Sequence, residues 1–110
     1  MRPAEWKIEE HKTSSGKSLV REFISELSIA DRVEAAALIK ALQEWGTGLR
    51  TPRSKPLGGG LFELRGRQIR IFYTFRPGRR IVLLDGIVKK RTSIPKGIIE
   101  RMRRLGSEVS

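Results

Sequence analysis

The segment Leu61–Arg91 constrains the fold most, because it contains three β-type runs separated by two short turn signals. Gly66-Arg67 suits a two-residue hairpin loop, since glycine tolerates the positive φ that such loops need. Pro77-Gly78 is a second turn pair, in which proline presets φ and glycine takes the left-handed position. The segment therefore predicts a three-stranded antiparallel meander.

Two-residue loops at both turns set an expected register, with Glu63 opposite Arg70 and Arg70 opposite Asp85. Side chains alternate between the two faces of a strand, so the register also assigns the faces. The predicted core face contains Phe62, Leu64, Ile69, Ile71, Tyr73, Phe75, Val82, Leu84 and Val88. The predicted opposite face contains Glu63, Arg65, Gln68, Arg70, Asp85 and Lys89, with Phe72, Thr74, Ile81 and Leu83 at its far end.

Two helices are predicted before the meander, as an antiparallel hairpin that covers its core face. Ser18 can cap the first, Leu19–Leu27, and Ser28 can cap the second, Ile29–Trp45. Apolar residues recur at helical spacing in both segments. The stripe expected on the second helix is Ala35, Leu38, Leu42 and Trp45, supported by Val33 and Ile39.

The remaining segments complete the predicted fold. Trp6–His11 reads as a short strand at the sheet edge or beside the strand that carries Arg70, with His11 on the surface. Gly46–Gly60 reads as a long irregular loop, and Lys96–Leu105 as a short basic helix that Pro95 opens. Together the elements predict one α+β domain over residues 1–110, with a twisted, mainly antiparallel sheet of about four strands.

Charge is unevenly distributed along the chain. Residues 1–45 hold seven Lys/Arg against eight Asp/Glu, whereas residues 46–110 hold sixteen against four. This asymmetry suggests a polyanionic partner, with nucleic acid favoured over an acidic protein or an anionic membrane. The chain has no cysteine, no secretory-type apolar segment and no run long enough to span a membrane. These features favour the cytoplasm and predict no membrane contact.

Cations converge where the meander strands end, and such a cluster suits a phosphodiester because guanidinium groups match phosphate oxygens. The predicted catalytic residues are Arg65, Arg70, Lys89 and Lys90, and the predicted RNA-binding residues are Arg91, Arg53, Lys55 and Lys96. In RNA the 2′-hydroxyl is an internal nucleophile, so cleavage needs a base, charge stabilisation and a proton for the leaving oxygen. No metal or cofactor is required. A purely structural role for Arg70, between Glu63 and Asp85, is the alternative.

The motifs PLGGGLFELR, IRIFYTF and RRIVLLDGIVKK, followed by a basic helix, together resemble the HigB-like, phage-derived branch of the RelE/ParE toxin superfamily. The resemblance implies a small RelE-like fold and a type II toxin that cleaves mRNA, typically on the ribosome. It also implies neutralisation by an antitoxin that usually carries a helix-turn-helix DNA-binding domain. The family's basic catalytic residues fall on Arg65, Arg70, Lys89 and Lys90, and extend to Arg91.

One departure from the family pattern concerns the general base. Some RelE members have a tyrosine after the position of the lysines, whereas Arg91-Thr92-Ser93-Ile94-Pro95 contains no aromatic residue. Asp85, Tyr73, Lys89 and Lys90 are the available proton carriers, and Tyr73 falls on the predicted core face. The resemblance therefore implies a slow enzyme that relies on charge and on orientation of the RNA by the ribosome.

Two other functions fit the same fold class. A ParE-like inhibitor of DNA gyrase would share the fold but would not need converging cations. A non-catalytic RNA- or DNA-binding module would need stacking surfaces, and Phe72 is the aromatic residue that the register places on the basic face.

Overall fold

The computed structural model describes residues 5–90 and 94–109. The elements within these residues are, in chain order, β1 (Lys7–Glu10), α1 (Leu19–Ser25), α2 (Ile29–Trp45), β2 (Ser54–Gly58), β3 (Leu61–Arg65), β4 (Ile69–Arg76), β5 (Arg80–Val88) and α3 (Lys96–Ser107). The strands form one sheet in the order β1-β5-β4-β3-β2. β1 is parallel to β5, and the other neighbours are antiparallel. The predicted α+β class is confirmed, with five strands where about four were expected.

The additional strand is β2, which lies inside the segment predicted to be an irregular loop. It is an edge strand and pairs with β3. Pro56 is tolerated there because an edge strand does not need every backbone N–H for pairing. The prediction was wrong for Ser54–Gly58, because glycine and proline content reports local preference and not the presence of an open edge on β3.

The first hairpin has a longer loop than expected. Arg65 lies opposite Arg70, and Glu63 lies opposite Phe72. The loop closes through the Gly66 N–H, which donates to the Ile69 carbonyl at 2.9 Å. The predicted Glu63–Arg70 pairing is therefore wrong. The shift is an even number of residues, so the predicted faces of β3 and β4 are nevertheless observed.

The second hairpin also differs from the expected register. Arg76 lies opposite Arg80, so the loop has three residues, and Arg79 takes the left-handed φ of 56° that such loops use. This odd shift turns the first half of β5 over. Ile81 and Leu83 therefore pack under α1 and α2, where Val82 and Leu84 had been expected.

A β-bulge opposite Phe72 and Tyr73 restores the expected phase in the second half of β5. Leu83 pairs with Tyr73 and Asp85 pairs with Phe72, which leaves Leu84 as the extra residue. As a result Asp85 returns to the face of the sheet that carries Arg70. The predicted Arg70–Asp85 pair is not formed, because Ile87 occupies that position.

Two apolar clusters cover the two faces of the sheet. On one face, α1 and α2 pack in a cluster that includes Val20, Leu38, Leu42, Leu64, Ile71, Tyr73, Ile81 and Leu83. On the other, α3 packs in a cluster of Leu61, Phe72, Val82, Leu84 and Met102. The helical hairpin therefore covers the core face as predicted, and α3 covers part of the second face.

The helix bounds agree closely with the sequence. Ser18 and Ser28 cap α1 and α2, and α2 has the predicted limits. α1 ends two residues early, at Ser25, and α3 continues to Ser107. Trp45 and Val33 do not join the packed stripe, since they are 64% and 65% exposed.

The N-terminal strand occupies the sheet edge, as one prediction had it. β1 lies beside β5 rather than beside the strand that carries Arg70. His11 follows β1 and is 9% exposed, so its predicted surface position is wrong. The buried His11 Nε2 lies 3.3 Å from Glu108 Oε1 at the end of α3.

Candidate nucleic-acid interface

A row of three arginines crosses β3 and β4 and reaches the residue before β2. Arg65 lies directly opposite Arg70, and the Arg65 N–H donates to the Arg53 carbonyl at 2.8 Å. Residues opposite one another on neighbouring strands share a face. The structure therefore brings Arg65 and Arg70 together on the face that α3 partly covers, with the backbone of Arg53 beside Arg65.

Arg65 is partly exposed to solvent, and Glu63 contacts the inner part of its guanidinium group. Its side chain is 32% exposed, and its Nε lies 3.5 Å from Glu63 Oε1. Glu63 is 3% exposed and stands two residues earlier on β3, so both side chains point to the same side. The outer part of the Arg65 guanidinium can therefore meet an anion.

Arg70 is buried and anchored to the first hairpin loop. It is 6% exposed, and its Nη1 donates to the carbonyls of Gly66 and Ile69 at 2.7 and 2.8 Å. Burial lowers the pKa of Arg70, and the Glu63 carboxylate acts in the opposite direction. Arginine stays protonated even so. Arg70 thus contributes positive charge from beneath the surface.

The loop that receives Arg70 is itself held by α2. Both carboxylate oxygens of Glu34 accept from the Arg67 N–H, at 3.1 and 3.0 Å. A side chain at Gly66 would place its Cβ 2.4 Å from Glu34 Oε1. The absence of a side chain at Gly66 therefore lets α2 fix the loop and, through it, Arg70.

The Asp85 carboxylate accepts hydrogen bonds from α3 and from the backbone of its own strand. Its Oδ2 accepts from Arg101 Nη2 at 2.9 Å, and its Oδ1 accepts from the Gly86 N–H at 2.7 Å. Two further arginines join α3 to the sheet: Arg103 donates to the Leu57 and Gly58 carbonyls, and Arg76 to those near the end of α3. The Asp85 carboxylate is thus one of the groups that attach α3 to the sheet.

Lys89 and Lys90 continue from the end of β5. The Lys89 N–H donates to the Gln68 carbonyl at 2.5 Å, which places Lys89 beside the first hairpin loop. Lys89 is half-buried and Lys90 is exposed. Both line a shallow groove of about 250 Å³ together with Ile94 and Ile98 of the α3 region. The structure thus brings Lys89 next to the loop that holds Arg70.

The predicted RNA-binding residues are spread around this row. Lys55 is exposed on β2 opposite Glu63, and Arg53 is exposed just before β2. Lys96 is exposed at the start of α3, below the groove that the two lysines line. Arg91 lies outside the described residues. The described cations form a band from the β2 edge to the end of β5.

Two buried aromatic side chains add neither an accessible proton carrier nor a stacking surface to this band. Tyr73 is 1% exposed on the helical-hairpin face, and its hydroxyl bonds to Ser54 Oγ at 2.5 Å. Burial raises the pKa of Tyr73. Phe72 lies on the basic face but is fully buried beneath α3, so it gives no surface for base stacking.

Sequence reasoning placed Glu63 on the face of Arg65 and Arg70, but it missed that the Glu63 side chain is buried there and contacts Arg65. Its carboxylate lies between Lys55 and Phe72 in the register, two residues before Arg65 on the same face. The i, i+2 spacing of Glu63 and Arg65 was the available signal. In the described part of the chain, no group of three or more His, Asp or Glu side chains gathers where a metal could bind. None of its helices is long and apolar enough to cross a membrane.

Comparison with known proteins gives one family and one fold. Residues 22–105 match the family described as "Phage derived protein Gp49-like". The fold is similar to a chain in the crystal structure of the toxin–antitoxin complex RelBE2 from Mycobacterium tuberculosis. That similarity has a TM-score of 0.57 at 16% identity and covers 77% of this chain and 99% of the other. No curated protein matches the sequence. The RelE-like fold that the motifs predicted is thus observed, and the chain belongs to the phage-derived Gp49-like family.

Proposed function

We propose that this protein is the toxin of a type II toxin–antitoxin pair and an endoribonuclease that cleaves mRNA on the ribosome. The observation that supports it most directly is the arginine row with Lys89 beside it, on the strongly basic part of the chain. A binding module or a gyrase inhibitor has no need for a buried guanidinium held behind an exposed one. The match to the Gp49-like family supports the same function.

In the proposed reaction the RNA 2′-oxygen attacks the adjacent phosphorus, and the bond to the 5′-oxygen breaks. A 2′,3′-cyclic phosphate forms on one fragment, and the other fragment takes a proton on its 5′-oxygen. Arg65 contacts the phosphate, because its side chain is accessible. Arg70 adds charge from behind, and Lys89 and Lys90 border the site. Fixed positive groups stabilise the extra negative charge of the phosphorane.

Two of the side chains that could act as the general base are engaged elsewhere. Tyr73 is buried on the other face, and Asp85 is engaged with Arg101. The protein therefore relies on charge and on a ribosome that holds the RNA in line for attack. Exposed Lys55, Arg53 and Lys96 hold the RNA backbone, and Arg91 has the same role. The reaction takes place in the cytoplasm, where mRNA is translated.

The proposed protein partner is an antitoxin with a helix-turn-helix DNA-binding domain. The similar structure is that of a toxin–antitoxin complex, which supports an antitoxin as partner. The excess of cations over residues 46–110 favours an acidic segment in that antitoxin.

The test is induced expression in a bacterium, with primer extension on an abundant mRNA. Arg65→Gln is compared with Arg104→Gln, which removes the same charge from an exposed position on α3. We expect growth arrest and in-frame cuts for the wild type and for Arg104→Gln, and neither for Arg65→Gln. Growth arrest without cuts would reject the nuclease and direct attention to gyrase. Normal growth of wild-type cells would reject the toxin itself.

A further inference from the structure

Glu63 is a buried carboxylate in the centre of a cationic face. It is 3% exposed, and its register neighbours are Lys55 on β2 and Phe72 on β4. Burial of a charged group costs free energy unless a partner compensates it. The nearest ionic partner is Arg65, whose Nε is 3.5 Å from Glu63 Oε1. The Glu63 carboxylate therefore attracts the positively charged arginines beside it.

The two arginines need such a carboxylate. Arg65 and Arg70 face each other directly across β3 and β4, and like charges in that position repel. The carbonyls of Gly66 and Ile69 hold Arg70 Nη1 in place but carry no net charge. Glu63 is the first of the carboxylates that raise the pKa of Arg70, against the effects of burial and of Arg65. The negative charge of Glu63 thus offsets the repulsion.

The cluster also keeps unused hydrogen-bonding capacity. Glu63 Oε2, Arg65 Nε and Arg70 Nε are all buried without a hydrogen-bond partner among the residues that the structure describes. Buried polar atoms are normally paired, and three of these atoms lie on the Glu63, Arg65 and Arg70 side chains. Arg65 Nε is buried on the side of Glu63, so the exposed remainder of the guanidinium is the part that can meet a phosphate.

We propose that Glu63 is a positioning residue, whose carboxylate holds the Arg65 and Arg70 guanidinium groups side by side without touching the RNA. This inference rests on the proposed nuclease. It has a cost, because a carboxylate behind the phosphate site opposes binding of the polyanion. Glu63 therefore positions the two guanidinium groups and, at the same time, lowers the affinity of the site for RNA.

The test is Glu63→Gln, which keeps the shape of the side chain and removes its charge. Glu44→Gln is the matched control, because Glu44 is exposed on α2. Two quantities are measured with purified proteins: cleavage of an mRNA on translating ribosomes, and affinity for the same RNA sequence with 2′-O-methyl groups that block cleavage. We expect Glu63→Gln to cleave about a hundredfold more slowly, as for a displaced catalytic group. We expect it to bind the blocked RNA at least as tightly, with a salt dependence steeper by about 0.7.

Slower cleavage with unchanged or tighter binding is a split that loss of folding cannot produce. Wild-type cleavage by folded Glu63→Gln would overturn the inference, as would equal losses of cleavage and binding. If Glu63→Gln does not fold, Glu63→Asp replaces it, and cleavage at the wild-type rate would then overturn the inference. A wild-type protein that does not cleave would instead reject the nuclease.

Discussion

Arg70→Gln separates the structural from the catalytic part of the arginine row. Arg70 is 6% exposed and donates two hydrogen bonds to the carbonyls of Gly66 and Ile69. Its neighbour Arg65 is partly exposed and has a 3.5 Å contact with Glu63. We therefore expect Arg70→Gln to lower both stability and activity, and Arg65→Gln to lower activity alone.

The expected size of the stability loss follows from the contacts. Each hydrogen bond from a charged donor contributes about 1.5–3 kcal/mol, so the two from Arg70 set an upper limit of about 6 kcal/mol. Burial lowers the pKa of Arg70, which shows that burial opposes its charged form. Glutamine removes that penalty, so we expect a net loss of about 2–4 kcal/mol in the free energy of unfolding. For Arg65→Gln the loss should stay within about 1 kcal/mol, because the pair is partly solvated.

Urea unfolding followed by circular dichroism measures both changes. With a slope of about 1.5 kcal/mol per M for a chain of this size, a 3 kcal/mol loss moves the midpoint by about 2 M. Arg104→Gln, exposed on α3, provides the control for the lost charge. A midpoint for Arg70→Gln within about 0.3 M of the wild type would refute the reasoning, since the two loop contacts would then contribute almost nothing.

Three further changes test other parts of the structure. Tyr73→Phe should cost about 1 kcal/mol. Because burial raises the pKa of Tyr73, wild-type stability should fall as pH rises above about 10, and urea midpoints for Tyr73→Phe should lack that contribution. Gly46→Ala should lower the free energy of unfolding by about 1–3 kcal/mol, measured by thermal unfolding. The reason is that φ at Gly46 is 51° and the new Cβ would lie 2.0 Å from Trp6 Nε1. Asp85→Asn should cost about 1 kcal/mol and speed hydrogen exchange in α3, because Arg101 loses its ionic partner; unchanged exchange would argue against that attachment.

Local signals in the sequence predicted the helices well. Ser28 followed by an apolar helical pattern and ended by Gly46 gave the limits of α2 that the structure has. Such signals act within a few residues, so no distant contact is needed to read them. Trp45 shows their limit, because its spacing fitted the apolar stripe of α2 although its side chain is exposed in the structure.

The strand register could not be read as reliably, because it depends on loops and bulges whose lengths are set by packing. Pro77-Gly78 signalled a turn, but Arg79 joined the loop through a left-handed φ that the sequence did not reveal. One additional residue was enough to turn Ile81–Leu84 over. The extra Leu84 then corrected the phase, so Asp85 kept its predicted face for a reason that was not foreseen.

The candidate site was predicted as a set of cations and not as an arrangement. Spacing on β3 and β4 correctly placed Arg65 and Arg70 on one face. The sequence did not show that Arg65 would be partly exposed and Arg70 buried against the first hairpin loop, since the length and shape of that loop were not predicted. Nor did it show that the Asp85 carboxylate would pair with Arg101 of α3 and not with an arginine of the neighbouring strands.

The parallel pairing of β1 with β5 has a consequence for the order of assembly. Lys7 lies beside Arg80, so β1 has no strand partner until β5, more than 70 residues later, has been synthesised. Joining such distant segments is slow compared with forming a helix or a hairpin. While it is being translated, the chain therefore carries an unpaired first strand and an incomplete sheet. The protein that we propose to act on ribosomes can therefore complete its own sheet only after a ribosome has synthesised β5.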